Sequence, residues 1–390
     1  MSGNRKPGIL FLEALPTIAG GQTVLLNLVP ALREHFRLAA LLPDEGPLAD
    51  ALRTEGVECF FAPVGRYSLM SKSFHDVVAY ALRMPLLTWR TARLVRRWGA
   101  DLIYANSGPT FLWGALAAQL MGRPIIWHHH NLFADDKTLS LVRSASWLPA
   151  VRTIVCASVP AEEQLSSSLQ KTTVIPNGVD TERFRPNKAA RDRVRKELGI
   201  NNNGHIVGMV GDLIPLKHQD TLLDAVHQLE IQPSDIHVIF VGDVRPGDAE
   251  SAQYAEQLRR DAPRSVHFLG RRSDLPDILN ALDLLVIASE RETGPLVLLE
   301  ALATGVPVLS TPVGRSTELL EARSLFPTSD SSTLAKLLDS VLGSPDRATE
   351  ARFSLRRDPI PRLSLVTFQK EVLTVISSAI VPQADGTTSE

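Results

Sequence analysis

Two glutamates, Glu292 and Glu300, are the residues of this chain whose type and spacing point most directly to chemistry. Glu300 is the one charge in residues 296–303, a run apolar on every side that should form a buried helix. A carboxylate there needs hydrogen-bond donors or a raised pKa to offset its lost hydration. Glu292 stands eight positions earlier, in the polar loop Ser289, Glu290, Arg291, Glu292, Thr293, Gly294. Pro295 follows and favours the first position of a helix. The backbone N–H groups of Thr293 and Gly294, with the helix dipole behind them, make a place for an anion such as a phosphate. Taken singly, Glu300 could pair with a core arginine or backbone amides, and Glu292 could be a solvated loop charge. Their coincidence with Gly294 and Pro295 in one unit points to a ligand.

Three further places carry candidate chemistry. Gly211 follows an apolar run and opens the loop GDLIPLKHQD, where Lys217 lies just ahead of a helix predicted to start near Gln219. A lysine there delivers a point charge to phosphate oxygens, or is simply solvated. Gly20 and Gly21 stand at a strand-to-helix turn, where glycine lets the backbone approach a ligand or merely tightens the turn. The run His128, His129, His130 ends a strand, so His128 and His130 share a face and His129 points the other way. A histidine hydrogen-bonding substrate, plain core histidines, or a metal site with an aspartate are all open there, the last without recognised ligand spacing. No G-x-G-x-x-G follows a predicted strand, and no phosphate-binding P-loop or D-x-D occurs.

The elements that must position these residues alternate along the chain. Residues 282–288 read as a strand buried on both faces, Gly305 stops the helix, and 306–310 form the next strand. The loop of such a βαβ unit lies where parallel sheets bind ligands. Strands are also predicted at 8–13, 37–42, 57–61, 101–105, 124–129, 153–157 and 172–175, with helices at about 22–34, from Pro47, and at 75–98 and 109–121. Turn residues at 176–180 and a polar run to Asn203 mark a boundary. Beyond it, strands at 205–211, 236–242 and 266–269 alternate with helices near 218–230, 250–260 and 273–281. Later helices fall at 331–342 and 363–378. The pattern gives an α/β protein of two doubly wound, Rossmann-like domains. The divisions are 1–175, 176–360, a C-terminal helix at 361–382, and a disordered tail at 383–390.

The bulk numbers exclude some functions. With 390 residues, two domains fit, and a net charge of −2 argues against nucleic acid as a partner. Cys59 and Cys156 are too few for a disulfide framework and read as thiols of a reducing, cytoplasmic compartment. No apolar run reaches membrane-spanning length, and Glu13 breaks the first one, which reads as a strand rather than a signal peptide. Residues 1–175 carry 17 basic and 13 acidic side chains. Within 75–98, Arg83, Arg90, Arg93, Arg96 and Arg97 accompany Trp89, Leu94 and Trp98. That is either a basic face for the inner, anionic membrane surface or a core helix with a solvated side, kinked or started by Pro85.

Several of these stretches together resemble the family-four glycosyltransferases, retaining enzymes of the two-domain GT-B fold. The stretches are IPNGVD at 175–180, the loop 211–218, Glu292 to Val308 with seven residues between its glutamates, Gly20-Gly21, and His130-Asn131. The likeness covers nearly the whole chain. It implies two domains facing across a cleft, with the C-terminal helix packing back on the first. It implies a nucleotide-diphosphate sugar, UDP- or GDP-linked, as donor, a glycan or lipid-linked acceptor, and no metal or other cofactor. Glu292, Lys217 and His130 would be catalytic. Glu300 would hold the ribose hydroxyls, Glu292 the sugar hydroxyls, and Lys217 with the amides of 293–296 the diphosphate. Gly211, Thr293, Gly294, Pro295, Leu296 and Arg271 would complete the donor site, and Gly20 and Gly21 would bring the first domain's backbone to diphosphate and acceptor. The chain departs from the pattern at Asp212 (usually Arg), at Thr293-Gly294 (usually Gly-Phe) and at Asn131 (usually Asp). A carboxylate beside a diphosphate is costly, so Asp212 should point away, or Arg291 or Arg315 should stand in. A non-catalytic homologue that binds a nucleotide sugar or a partner, and a sugar-nucleotide epimerase or a phosphorylase on the same fold, are the alternatives.

Overall fold

The computed structural model describes residues 5–65, 74–133, 135–165, 170–201, 204–229, 236–245, 247–343 and 363–380. The expected tail at 383–390 lies outside them. The chain forms two compact units, Met1–Asn177 with Val366–Glu390, and Gly178–Leu365.

The first unit is built on a parallel sheet whose strands are β1 (Gly8–Leu12), β2 (Arg37–Leu42), β3 (Glu58–Phe61), β4 (Leu102–Ala105), β5 (Ile125–His129), β6 (Val151–Cys156) and β7 (Thr172–Val174). Their order is β3-β2-β1-β4-β5-β6-β7, so the chain reverses its direction of winding between β1 and β4. β1, β4 and β5 are buried along their full length, which is why they read as unbroken apolar runs rather than alternating ones. Phe111 stacks on Trp127 with centroids 4.7 Å apart, closing the core beneath β5. The helix Leu365–Ile380 returns to this unit. It buries Phe368, Val372 and Ile376 at intervals of one turn, and the Gln369 side chain donates to Asn27 O at 2.6 Å.

The second unit carries β8 (His205–Val210), β9 (Ile236–Val241), β10 (Val266–Phe268), β11 (Leu284–Ile287) and β12 (Val308–Ser310). The order is β10-β9-β8-β11-β12, all parallel, with the reversal between β8 and β11. Val179, within the IPNGVD stretch, holds the returning chain: its N–H donates to Leu363 O and its carbonyl accepts from Leu365 N, both at 2.8 Å.

The structure corrects several element assignments. The helix expected from about residue 22 starts earlier, as Gly20–Arg33, so Gly20 and Gly21 form its first turn, and Gln22 Oε1 accepts from Ala19 N at 3.2 Å. Pro85 lies inside the helix Phe74–Leu94, which ends in a wide π turn at Val95–Gly99. The polar run after residue 180 contains the helix Lys188–Glu197, which shows no apolar stripe because its buried face is Ala190, Val194 and Arg195.

Arg195 explains how a charged helix stays on this core. Its side chain is 2% exposed and donates to Asp283 Oδ2 at 3.2 Å and to the carbonyls of Ala281 and Asn201. Asp283 also accepts from Arg191 at 2.5 Å and from Ile206 N at 2.8 Å, so one carboxylate ties the helix to the start of β8. Asp283→Ala leaves the Arg195 charge buried without its counter-ion. The expected loss is about 3–5 kcal/mol of unfolding free energy in urea titration; an unchanged midpoint contradicts this account of the helix.

Candidate active site

Loops at the carboxyl ends of β8 and β11 meet at the reversal point of the second sheet, the position where open parallel sheets admit ligands. After β8, the chain turns at Gly211 (φ 145°) and runs through a short 3-10 turn, Pro215–Lys217, into the helix Gln219–His227. A side chain at position 211 would be strained at that φ and would meet Lys217 Cε at 3.2 Å. Glycine here lets the lysine fold back over the strand end. After β11, Glu290 N donates to Leu216 O at 2.9 Å, fastening the second loop to the first. The result is a direct ion pair between Lys217 Nζ and Glu292 Oε1, both mostly buried, with Ser289 Oγ donating to the same oxygen at 3.2 Å.

Thr293 is buried, and Pro295 takes the position before the helix, not its first residue. The helix is Leu296–Thr304, and its first N–H groups, at Leu296 and Val297, have no intrahelical acceptor. Glu300 lies in its second turn. Among the described residues nothing donates a hydrogen bond to its carboxylate, so neither a core arginine nor backbone amides satisfy it. Burial raises its pKa to about 7, with Arg183 nearby opposing the rise.

Asp212 is held by two cations. Arg245 Nε and Arg271 Nη2 each donate to it at 2.9 Å. The expected stand-ins are engaged elsewhere, Arg291 with Glu290 at 3.1 Å and Arg315 with Glu318 at 2.9 Å. Arg271 therefore belongs to this cluster, and Arg245, which sequence reasoning missed, joins it.

The first unit has its own polar group at its reversal point. Glu13, Asn106 and His130 are the first residues beyond β1, β4 and β5. Glu13 is fully buried and accepts from Asn106 Nδ2, from Gln22 Nε2 at 3.0 Å and from Ala14 N at 3.3 Å. Burial raises its pKa against these bonds. Asn106 Nδ2 also donates to Gly21 O at 3.0 Å, which leaves its Oδ1 to face His130 Nε2 at 2.9 Å. His130 must then carry its proton on Nε2, because an amide oxygen only accepts. Burial, and then His129, press the His130 pKa down to about 3, so the ring is neutral. Gly21 permits this placement, since a Cβ there would lie 3.3 Å from His130 Cδ2. His128 is fully buried behind it, with Nδ1 2.7 Å from Tyr104 OH and ring centroids 3.8 Å from His130. His129 points to the other side, stacked on Phe133. Among the described residues no three metal-ligating side chains converge, so the histidine–aspartate metal alternative lacks a ligand set. Glu13, Gln22 and Asn106 escaped sequence reasoning. For Glu13 and Asn106 the one signal was a polar residue ending an apolar strand; Gln22, inside the helix Gly20–Arg33, gave none.

The chain matches the family described as Glycosyltransferase Family 4 over residues 18–183 and that described as Glycosyl transferases group 1 over residues 190–356. Among curated relatives, the UDP-Gal:alpha-D-GlcNAc-diphosphoundecaprenol alpha-1,3-galactosyltransferase of Escherichia coli is 29% identical over 79% of this chain and 80% of its own length. The GDP-mannose-dependent alpha-mannosyltransferase of Mycobacterium tuberculosis is 26% identical over 78% of this chain and 79% of its own. Among solved structures, Anabaena Alr3699/HepE in complex with UDP and glucose superposes with a TM-score of 0.80 at 22% identity, covering 95% of this chain and 100% of that one. WaaG, a glycosyltransferase involved in lipopolysaccharide biosynthesis, gives 0.66 at 18% identity, covering 95% of this chain and 99% of that one. With two family matches spanning both units, relatives aligned across most of their length and the same paired parallel sheets, this chain belongs to the family-four glycosyltransferases of the GT-B fold.

Proposed function

We propose that the second unit binds a UDP- or GDP-linked sugar and that the transfer proceeds with retention, without a metal ion. The Lys217–Glu292 pair at the β8/β11 reversal point carries this reading. It brings a cation suited to a diphosphate and a carboxylate suited to sugar hydroxyls to one place, held by a loop that only glycine can turn. In the reaction the bond between the anomeric carbon and the diphosphate oxygen breaks, and its electron pair leaves with the phosphate. Lys217 and the first-turn amides of the Leu296–Thr304 helix stabilise that charge, the role a metal serves elsewhere. The acceptor oxygen attacks from the same face, and its proton passes to the departing phosphate oxygen. Glu292 accepts hydrogen bonds from the sugar, and Glu300 from the ribose. In the first unit, which takes the glycan or lipid-linked acceptor, neutral His130 orients a hydroxyl and cannot act as an acid. The relatives' use of UDP-galactose and GDP-mannose supports the donor class.

A second proposal concerns the helix Phe74–Leu94. Leu82 (76% exposed), Leu86 and Trp89 line one side of it, and Leu120 (71%) is exposed on Phe111–Met121, which packs beside it. Arg83, Arg93, Arg96 and Arg97 are exposed nearby, with Arg93 over the Trp89 ring at 5.5 Å. Such a face fits an anionic lipid surface holding a lipid-linked acceptor. Among the described residues no helix is long and apolar enough to cross a membrane.

Lys217→Ala should lower kcat for sugar transfer by at least about 100-fold, measured as nucleotide release. Transfer at the native rate would remove Lys217 from the chemistry. Because burial raises the Glu300 pKa to about 7 and ribose is bound by the carboxylate, nucleotide affinity should rise with pH to about 7 and level off above it. Below that, affinity falls up to about tenfold per pH unit, with proton release on binding. Glu300→Gln should bind more weakly and flatten the profile; a profile unchanged in the variant rules Glu300 out. Phosphatidylglycerol vesicles at low salt should sediment the protein, and Leu82→Asp should abolish this. Equal sedimentation of the variant, or none of the native protein, contradicts the lipid surface.

A further inference from the structure

Asp212 is shared by two arginines that come from different loops. Asp212 follows β8, Arg245 follows β9 and Arg271 follows β10, so three adjacent strand ends each contribute one charge to a single cluster. The backbone fixes all three. Gly242 N donates to Gly270 O at 2.9 Å, and Leu213 N donates to Asp243 O at 3.1 Å. Arg245 N donates to Ser251 Oγ at 3.0 Å, and that hydroxyl donates to Leu213 O at 2.8 Å, next to Asp212.

The charges do not cancel. Neighbouring groups on these loops have partners of their own: Arg272 holds Asp274 and Glu197, and Asp243 faces Arg259. Two guanidiniums on one carboxylate leave one positive charge uncompensated. Each guanidinium has five N–H donors, and among the described residues each spends one side-chain bond, on Asp212. Stability alone gives no reason for the second arginine, since Arg271 is half-exposed and surface pairs add little. Lys217 belongs to the same loop as Asp212, and its Nζ would be 3.3 Å from a Cβ placed on Gly211, the residue before Asp212.

We propose that Arg245 and Arg271 form the seat for the phosphates of a nucleoside diphosphate, and that Asp212 is the positioning residue that aims them. The carboxylate fixes one edge of each guanidinium and leaves the remaining donors for phosphate oxygens, the geometry arginine is suited to. This rests on the second unit being the donor-binding one.

Calorimetric titration of the full chain with UDP, GDP, their monophosphates and their nucleosides tests it. The native protein should bind one diphosphate more tightly than its nucleoside. In Arg245→Ala/Arg271→Ala that diphosphate affinity should fall about 10- to 100-fold, with the nucleoside affinity unchanged. The glutamine pair Arg245→Gln/Arg271→Gln keeps the bulk and should give the same loss if the alanine variant fails to fold. Asp212→Ala should also weaken diphosphate binding, although it removes a negative charge. Unchanged diphosphate affinity in the arginine variants, or tighter binding in Asp212→Ala, overturns the proposal. Diphosphate binding that gains from the phosphates in the native protein and is unchanged in the arginine variants overturns it alone; a native protein with no gain from phosphate also removes the diphosphate role of Lys217, and one that binds no nucleotide removes the donor-binding reading as well.

Discussion

A lysine and a glutamate held against each other at the end of a parallel sheet set the terms for the second unit. Lys217 and Glu292 are both largely withdrawn from water, and each satisfies the other's charge. Removing either alone strands its partner, so the pair persists only because both loops are fixed: Gly211 turns the first, and the Glu290–Leu216 hydrogen bond ties the second to it. A ligand bearing a diphosphate next to a polyhydroxylated ring answers both charges at once. On the proposed reading, the donor replaces each partner of this pair with a group of matching polarity.

The first unit solves a different problem with the same architecture. Its strand ends carry a buried acid, an amide and an imidazole in series, and the amide's two donors decide which way round it sits. That choice fixes the proton on His130 Nε2 and, with burial, keeps the ring uncharged across the physiological range. The imidazole is neutral, suited to orienting a hydroxyl rather than exchanging protons. At the second unit's reversal point the polar groups are instead cationic: Lys217 on Glu292, and Arg245 and Arg271 on Asp212.

Much of this was legible in the sequence, for physical reasons. Strands buried on both faces announce themselves as apolar runs, so β1, β4, β5, β8 and β11 and the alternation around them could be placed, as could the loops of Lys217 and Glu292. Three kinds of feature were not legible. A helix whose buried face includes an arginine has no apolar period, which hid Lys188–Glu197. Glu13 reads locally as a break in an apolar strand, because nothing near it in sequence reveals that Asn106 and Gln22 bond it. Asp212 stood out as a departure, yet its partners lie 33 and 59 residues away, on loops that only the sheet order brings beside it. Arg291 and Arg315 flank the Glu292–Glu300 stretch in sequence but are spent on Glu290 and Glu318.

On the proposed reading, donor binding divides the Lys217–Glu292 ion pair between the diphosphate and the sugar. A crystal structure of the chain with a non-transferable nucleotide-sugar analogue tests it most directly. Lys217 Nζ should then lie within hydrogen-bond distance of a diphosphate oxygen and Glu292 on a sugar hydroxyl, with the bond between the two side chains opened. An intact Lys217–Glu292 pair, with the analogue seated elsewhere, contradicts it.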